Sequence, residues 1–381
     1  GRSRVVTPTR EAQEDDMEMQ AAVLRKVHEP LTIESVDIDR PLGREVLVRT
    51  AGTGVCHSDL HVVDGQSRYS LDRPIVLGHE GAGVVESVGP EVTAVRPGDH
   101  VVACLSGFCG SCAQCLGGHP NLCVGGIVAR GDSAPPRLSQ DGGSLWPFAG
   151  IGSFAERMLL HENSLVRIDP DLPLDRAALV GCGVLTGVGA ALRSSGMEAG
   201  QTVAVFGCGG VGLSIVQGAR IGGARQIVAV DIVESKLGMA RRVGATHAVN
   251  ASHDDPVKAV RALTGGAGVD HAFEAVGNAT LVRQAIESLA IRGTATIVGV
   301  LPPDAVIEFP WMAIRPECRV QTSRMGSNRF RVDIPRYLEF YRQGRLLLDE
   351  MVTRRGRLDD INDAFRAMKA GEVARTVLTF D

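Results

Sequence analysis

Groups able to do chemistry are concentrated in Gly54-Val55-Cys56-His57-Ser58-Asp59-Leu60-His61, which holds a thiol, two imidazoles, a hydroxyl and a carboxylate. The preceding segment, Glu45 to Ala51, alternates like a half-buried strand, so the cluster falls on the turn and first helical residues after it. Taken alone, Cys56 would read as a small buried hydrophobe. Two further segments supply partners. Gly78-His79-Glu80-Gly81 follows the apolar run Pro74-Ile75-Val76-Leu77, and its glycines let backbone pack closely around His79 and Glu80. Gly181-Cys182-Gly183 sets a cysteine between glycines at the start of a helix. Cys56, His79 and Cys182 make a set of two thiolates and one imidazole, which holds a zinc ion and leaves its fourth position open. Asp59 and Glu80 lie next to or near these residues in sequence, where a carboxylate orients a ligating histidine.

A second cysteine set has a different character. In Cys109-Gly110-Ser111-Cys112-Ala113-Gln114-Cys115 two Cys-x-x-Cys steps share one turn, and Cys123 returns after seven intervening residues. Four thiolates close a tetrahedral shell and leave no room for a substrate, as in a structural zinc site. Spacing alone does not name the metal, and an iron–sulfur cluster uses the same donors. A third motif is Gly207-Cys208-Gly209-Gly210-Val211-Gly212, between the buried-strand pattern Gln201 to Phe206 and an apolar helix through Ala219. A second strand, Gln226 to Val230, ends in Asp231 about 20 residues on, which is the context a dinucleotide fingerprint requires. The glycines admit backbone amides close to a pyrophosphate. Asp231 accepts hydrogen bonds from ribose hydroxyls and repels a 2′-phosphate, so NAD is expected rather than NADP.

The elements that position these motifs divide in two. Short strands and turns recur from Gln20 to Val102, as in a small antiparallel barrel or sandwich. Strands alternating with helices from Gln201 to Val300 imply a doubly wound parallel sheet. The Gly-, Pro- and Ser-rich stretch from Val124 to Ile151 is expected to be a long loop acting as a lid or pocket wall. At 381 residues the chain can bury two cores. Its 44% hydrophobic and 22% charged content and its net charge of −4 give no sign of a nucleic-acid partner. No apolar run reaches the roughly 18 residues of a membrane span. Residues 1–18 are polar and lack the apolar core of a signal peptide, so a disordered extension and a cytoplasmic protein are expected. Cys104, Cys208 and Cys318 receive no role.

Together these motifs resemble the zinc-dependent medium-chain alcohol dehydrogenases, from about Met19 to Asp381. The resemblance implies an α/β fold with a GroES-like catalytic domain of residues 19–183 and 324–381, carrying a structural-zinc lobe. A Rossmann domain would span 184–323. It implies one catalytic and one structural zinc, NAD as cofactor, and hydride transfer between an alcohol and NAD. Ser58 would take the alcohol proton and pass it through the nicotinamide ribose to His61. His57 would lie near the pyrophosphate, where animal members commonly carry arginine, and Arg375 would reach the same group. Lys236 would meet the adenosine ribose, and Thr186 and Val211 the nicotinamide. Leu105, Trp146 and Phe148 become candidate pocket walls, pointing to an apolar primary alcohol or its aldehyde. Pro302 to Trp311 would join subunits into a homodimer or homotetramer. Within the same scaffold the alternatives are a thiol-adduct formaldehyde dehydrogenase, a nicotinoprotein that retains its NAD, and a non-catalytic member of the fold.

Overall fold

The computed structural model describes residues 17–66, 71–125, 130 and 134–380. Of the expected disordered extension, residues 1–16 lie outside this set. Met17 and Glu18 are strand residues, paired with Ile38 and Asp37, so these two belong to the barrel and not to an extension.

Two β systems form the first part of the fold. A closed barrel runs through Met17–Leu24, Thr32–Ile38, Leu138–Gln140, Gly143–Pro147 and Ile75–Val76. Beside it lies a seven-stranded sheet whose long strand, Glu45–Val55, pairs with Glu80–Val88, Arg157–His161 and the C-terminal strand Arg375–Thr379. The Val124 to Ile151 stretch is therefore not one long loop: two of its segments are barrel strands forming a hairpin from Leu138 to Pro147. Trp146 follows from this register. A period of two puts Leu145 inside and leaves Trp146 37% exposed, with the Arg73 guanidinium 4.9 Å above its ring. Trp146 shares a surface groove with Arg73, Pro136 and Ser144, and the pocket-wall assignment fails for it.

The second part is a six-stranded sheet, parallel throughout, in the spatial order His247–Asn250, Gln226–Asp231, Thr202–Phe206, Val269–Glu274, Leu289–Ile297, Arg319–Thr322. Val203 to Phe206 are fully buried, which is why this strand reads as a continuous apolar run rather than an alternation. Chain order reverses between Thr202–Phe206 and Val269–Glu274, the point at which open α/β sheets bind ligands.

A single apolar cluster joins the two parts, from Ala82 and Val102 through Leu179, Leu185 and Val188 to Val205 and Leu213. At its centre the helix Gly183–Gly189 and the π-helical turn Ala190–Ser194 lie against the helix Gly210–Ile221. Small residues permit this approach. A β-carbon at Gly218 would sit 2.9 Å from both Val188 Cα and Ala191 Cβ. Among the described residues no single helix is long and apolar enough to cross a membrane. The apolar residues of Ala178–Gly181 and Gly183–Gly189 are instead buried in this cluster. Gly218→Val should overpack the contact and lower stability by about 1–3 kcal/mol. A fall in the urea midpoint at unchanged slope checks this, and an unchanged midpoint would show that the helices can separate freely.

Candidate active site

The strand Glu45–Val55 delivers the first donor. Cys56 is the N-cap of the helix His57–Val63, but its side chain makes no capping bond and faces the interior. In the first helical turn Asp59 is fully buried. Its Oδ1 accepts from the Gly78 N–H at 3.0 Å and from His79 Nδ1–H at 3.1 Å. That second bond fixes the tautomer, and leaves the lone pair of Nε2 to face the cluster. His79 Nε2 is buried and has no hydrogen-bond partner in the protein. Donor atoms of Cys56, His79, Glu80 and Cys182 lie within 4.8 Å of one another.

The electrostatics of the set are unbalanced. A hydrogen bond from Cys182 is the main cause that depresses the Cys56 thiol well below its usual range, while His79 and Arg375 add to it. Cys182 is pushed far up by the same contact and by burial. Burial opposes a charged imidazole at His79, yet Asp59 and the Cys56 thiolate outweigh it and raise its pKa to about 10. Two thiolates cannot both ionise here without further positive charge. A dication removes the conflict, and the orphaned His79 nitrogen beside two sulfurs fits zinc.

Glu80 takes a different part from the one sequence proximity suggested. Asp59 orients His79, while Glu80 accepts from the Gly183 N–H at 3.2 Å and forms a buried ion pair with Arg375. The pairing of Thr376 with Val55 brings Arg375 to this place, beside Gly54. Gly54 must lack a side chain, since a β-carbon there would overlap the Glu80 carboxylate. Arg375 was expected at the cofactor pyrophosphate. Its guanidinium is held by Glu80, and its Cδ lies 2.6 Å from where a β-carbon of Gly210 would be, so it bridges the metal set and the glycine-rich turn. Glu80 and Arg375 are 295 residues apart, and no local signal links them.

In the turn itself Gly207 has φ 94°, and a β-carbon there would overlap Val276, whereas one at Gly212 would overlap the Gly207 carbonyl. A β-carbon at Gly209 would meet nothing within 4 Å, leaving that face open to an incoming phosphate. Asp231 steadies the turn: its Oδ2 accepts from the Cys208 N–H at 2.7 Å and its Oδ1 from the Val233 N–H at 2.9 Å. Lys236 is half-buried on the following helix, Glu234–Val243. Thr186 is buried, with its hydroxyl 3.4 Å from the Met325 sulfur, and Val211 is half-buried in the first turn of the Gly210–Ile221 helix. Ser58 Oγ lies 3.8 Å from Cys56 Sγ, and His61 stands three residues further on the same helix face, half-buried. His57 is exposed at the helix start. Phe148 presents its ring to His79, centroids 5.5 Å apart, so it adjoins the donor set. Leu105 packs against the core of the seven-stranded sheet.

The four-cysteine set forms a separate lobe. Sulfurs of Cys109 and Cys115 are 4.0 Å apart and those of Cys112 and Cys123 3.9 Å, close to the roughly 3.8 Å edge of a tetrahedron with 2.3 Å zinc–sulfur bonds. The backbone N–H groups of Cys109 and Cys112 point at sulfurs, each at 3.3 Å. Backbone hydrogen bonds, first from Cys115, hold the Cys112 thiol down at about 5. Burial and the neighbouring thiols push Cys115 up to about 12. This set also fits a metal, with no open position.

Comparison with known proteins agrees with this geometry. Residues 43–170 match the alcohol dehydrogenase GroES-like domain, and residues 210–342 match the zinc-binding dehydrogenase family. The chain is 38% identical to an NDMA-dependent alcohol dehydrogenase of Amycolatopsis methanolica, covering 95% of this chain and 99% of that protein. It is 36% identical to an S-(hydroxymethyl)glutathione dehydrogenase of Synechocystis, covering 96% of this chain and 100% of that protein. The crystal structure of benzyl alcohol dehydrogenase from Acinetobacter calcoaceticus superposes with a TM-score of 0.88 at 32% identity, over 96% of this chain and 100% of that one. With both of its domains matched, the chain belongs to the zinc-binding alcohol dehydrogenase family, built from a GroES-like domain and a Rossmann-like parallel sheet.

Proposed function

We propose that this protein oxidises a mainly apolar or aromatic primary alcohol to its aldehyde with NAD, and catalyses the reverse reaction. One observation carries the reading: the buried, unpartnered His79 Nε2 beside the Cys56 and Cys182 sulfurs. Zinc bound by Cys56, His79 and Cys182 supplies Lewis acidity toward an alcohol oxygen, and NAD supplies the hydride acceptor. The remaining work belongs to the chain. Asp59 holds the His79 ring and its tautomer, and Arg375 balances Glu80, so the donors stay aimed while dry. Ser58, beside Cys56, takes the alcohol proton, and His61 at the outer end of the same face returns it to solvent. Asp231, at the end of the second parallel strand, would accept from the ribose hydroxyls and repel a 2′-phosphate, which favours NAD over NADP.

Two narrower readings are supported by the names of relatives: a thiol-adduct formaldehyde substrate, from the S-(hydroxymethyl)glutathione dehydrogenases, and retained NAD with an external acceptor, from the NDMA-dependent enzyme. The second metal is assigned to the four-cysteine lobe. Six of the nine cysteines are thereby metal donors, a usage that suits a reducing cytoplasm. A homodimer or homotetramer is part of the same proposal. Trp311 and Met312 are 79% and 84% exposed near the edge strand Arg319–Thr322, whose Val320 is also exposed.

An alcohol and aldehyde panel with NAD and NADP, run with zinc quantification, tests the function. Wild-type protein should turn over apolar primary alcohols with NAD and contain about two zinc ions per chain. Cys182→Ala should lose activity and keep about one. A single zinc in active wild-type protein, or a preference for NADP, would refute the assignment.

His61→Gln should retain zinc and slow alcohol oxidation by about 10- to 100-fold at neutral pH, with partial rescue by added imidazole. A wild-type rate and pH profile would reduce His61 to a surface residue.

Replacing Met312 by glutamate should dissociate the oligomer in sedimentation velocity. A wild-type protein that sediments as a monomer at micromolar concentration would remove the proposed interface.

A further inference from the structure

Between the last parallel strand and the helix Phe330–Arg342 the chain crosses back to the first domain, and three consecutive residues there have positive φ: Met325 at 52°, Gly326 at 66° and Ser327 at 50°. Met325 and Ser327 carry β-carbons, so this left-handed turn persists only where its surroundings over-determine it. One side of it lies on the helix Gly183–Gly189. A β-carbon at Gly326 would meet the carbonyl oxygens of Leu185 and Thr186, each at 2.6 Å, and the Thr186 hydroxyl reaches the Met325 sulfur. The buried Asn328 ties the turn to the catalytic domain, its Nδ2 donating to the Met325 carbonyl and to Ser106 Oγ, both at 2.9 Å.

The remaining restraints come from the four-cysteine lobe. The buried Asn121 donates from Nδ2 to the Arg324 carbonyl at 3.0 Å, and Arg329 Nε donates to the Gly118 carbonyl at 3.2 Å. These bonds grip the turn on both flanks. On the lobe side they start from residues close to sulfur donors, Gly118 three after Cys115 and Asn121 two before Cys123. The lobe is thus connected, by two hydrogen bonds and one short turn, to the helix whose first residue follows Cys182 and which carries Thr186.

We infer that Asn121 and Arg329 are positioning residues through which the four-cysteine lobe holds the turn at Met325–Ser327, and through it Thr186, in place for the nicotinamide half of the dinucleotide. The inference rests on the dehydrogenase reading above, and it gives the lobe a task beyond its own folding. The adenine half, at Asp231 and Lys236, lies on elements the lobe does not touch through these bonds, so the two halves of the cofactor should respond differently.

The test uses zinc-loaded full-length protein titrated with NADH, followed by nicotinamide fluorescence, and with ADP-ribose, followed by calorimetry. Asn121→Ala and Arg329→Ala should each weaken NADH binding by about 3- to 10-fold, the effect of one net hydrogen bond. ADP-ribose affinity should stay within about twofold and zinc content should be unchanged, since neither residue is a ligand. Asn121→Asp, equal in size but without the N–H donors, should behave as Asn121→Ala and serves if the alanine variant folds poorly. Leu122→Ala, a change on the exposed surface of the same lobe, should leave both affinities and their ratio unaltered. An unchanged ratio in the Asn121 and Arg329 variants, or a parallel loss of both ligands, would overturn the inference. Wild-type protein that binds neither ligand would overturn the dehydrogenase reading, and this inference with it.

Discussion

The fold is arranged around the cost of burying charge at one point. Asp59, Glu80, Cys56 and Cys182 bring four groups able to carry negative charge into one buried cluster, with the Arg375 guanidinium and the His79 imidazole among them. Burying an unpaired charge costs several kcal/mol. Each carboxylate is therefore engaged: Asp59 Oδ1 by a backbone amide and His79, Glu80 by a backbone amide and Arg375. The thiols remain unbalanced, and only a metal ion corrects that. The unpartnered His79 Nε2 beside the two sulfurs is what such a set offers a metal.

Meeting that constraint requires convergence from distant strands. Cys56 ends one strand, His79 precedes another, Cys182 opens a helix, and Arg375 begins the C-terminal strand. The antiparallel pairings of Glu45–Val55 with Glu80–Val88 and with Arg375–Thr379 bring three of the four within reach. Close approach is paid for in glycine at Gly54, where any side chain would strike the Glu80 carboxylate. The same logic governs the dinucleotide turn, where Gly207 and Gly212 serve packing and Gly209 leaves a face open.

The junction of the two parts also has a mechanical side. The helix after Cys182 is gripped by the Gly210–Ile221 helix on one face and by the turn at Met325–Ser327 on another. Metal donors, cofactor loop and interdomain turn thus share one rigid helix, and small residues at Gly187, Gly189 and Gly218 make the sharing possible. Such a helix transmits small displacements, because close-packed interiors have no slack to absorb them.

How much of this was legible beforehand follows from the range of each interaction. Donor types and spacings, the glycine turn with Asp231 after its second strand, and the alternating βα rhythm are local, so the chain alone determined which residues could form the two donor sets, the parallel sheet and the glycine turn at its switch point. Even the Asp59–His79 bond was within reach, since both residues flank the metal motif. Tertiary structure decided the rest. Adjacency in sequence pointed to Glu80 as a partner of His79, but a strand reverses side chains at every step, and Glu80 turned to Arg375 instead. The same period of two sent Trp146 to the surface while Phe148, in the short turn just beyond that strand, met His79. The links from Asn121 and Arg329 to the Met325 turn join residues about 200 positions apart, and composition carries no trace of them. Local pattern fixes which chemistry a chain can offer; packing across the chain fixes which group stands next to which, because a buried polar group is costly unless it finds a partner.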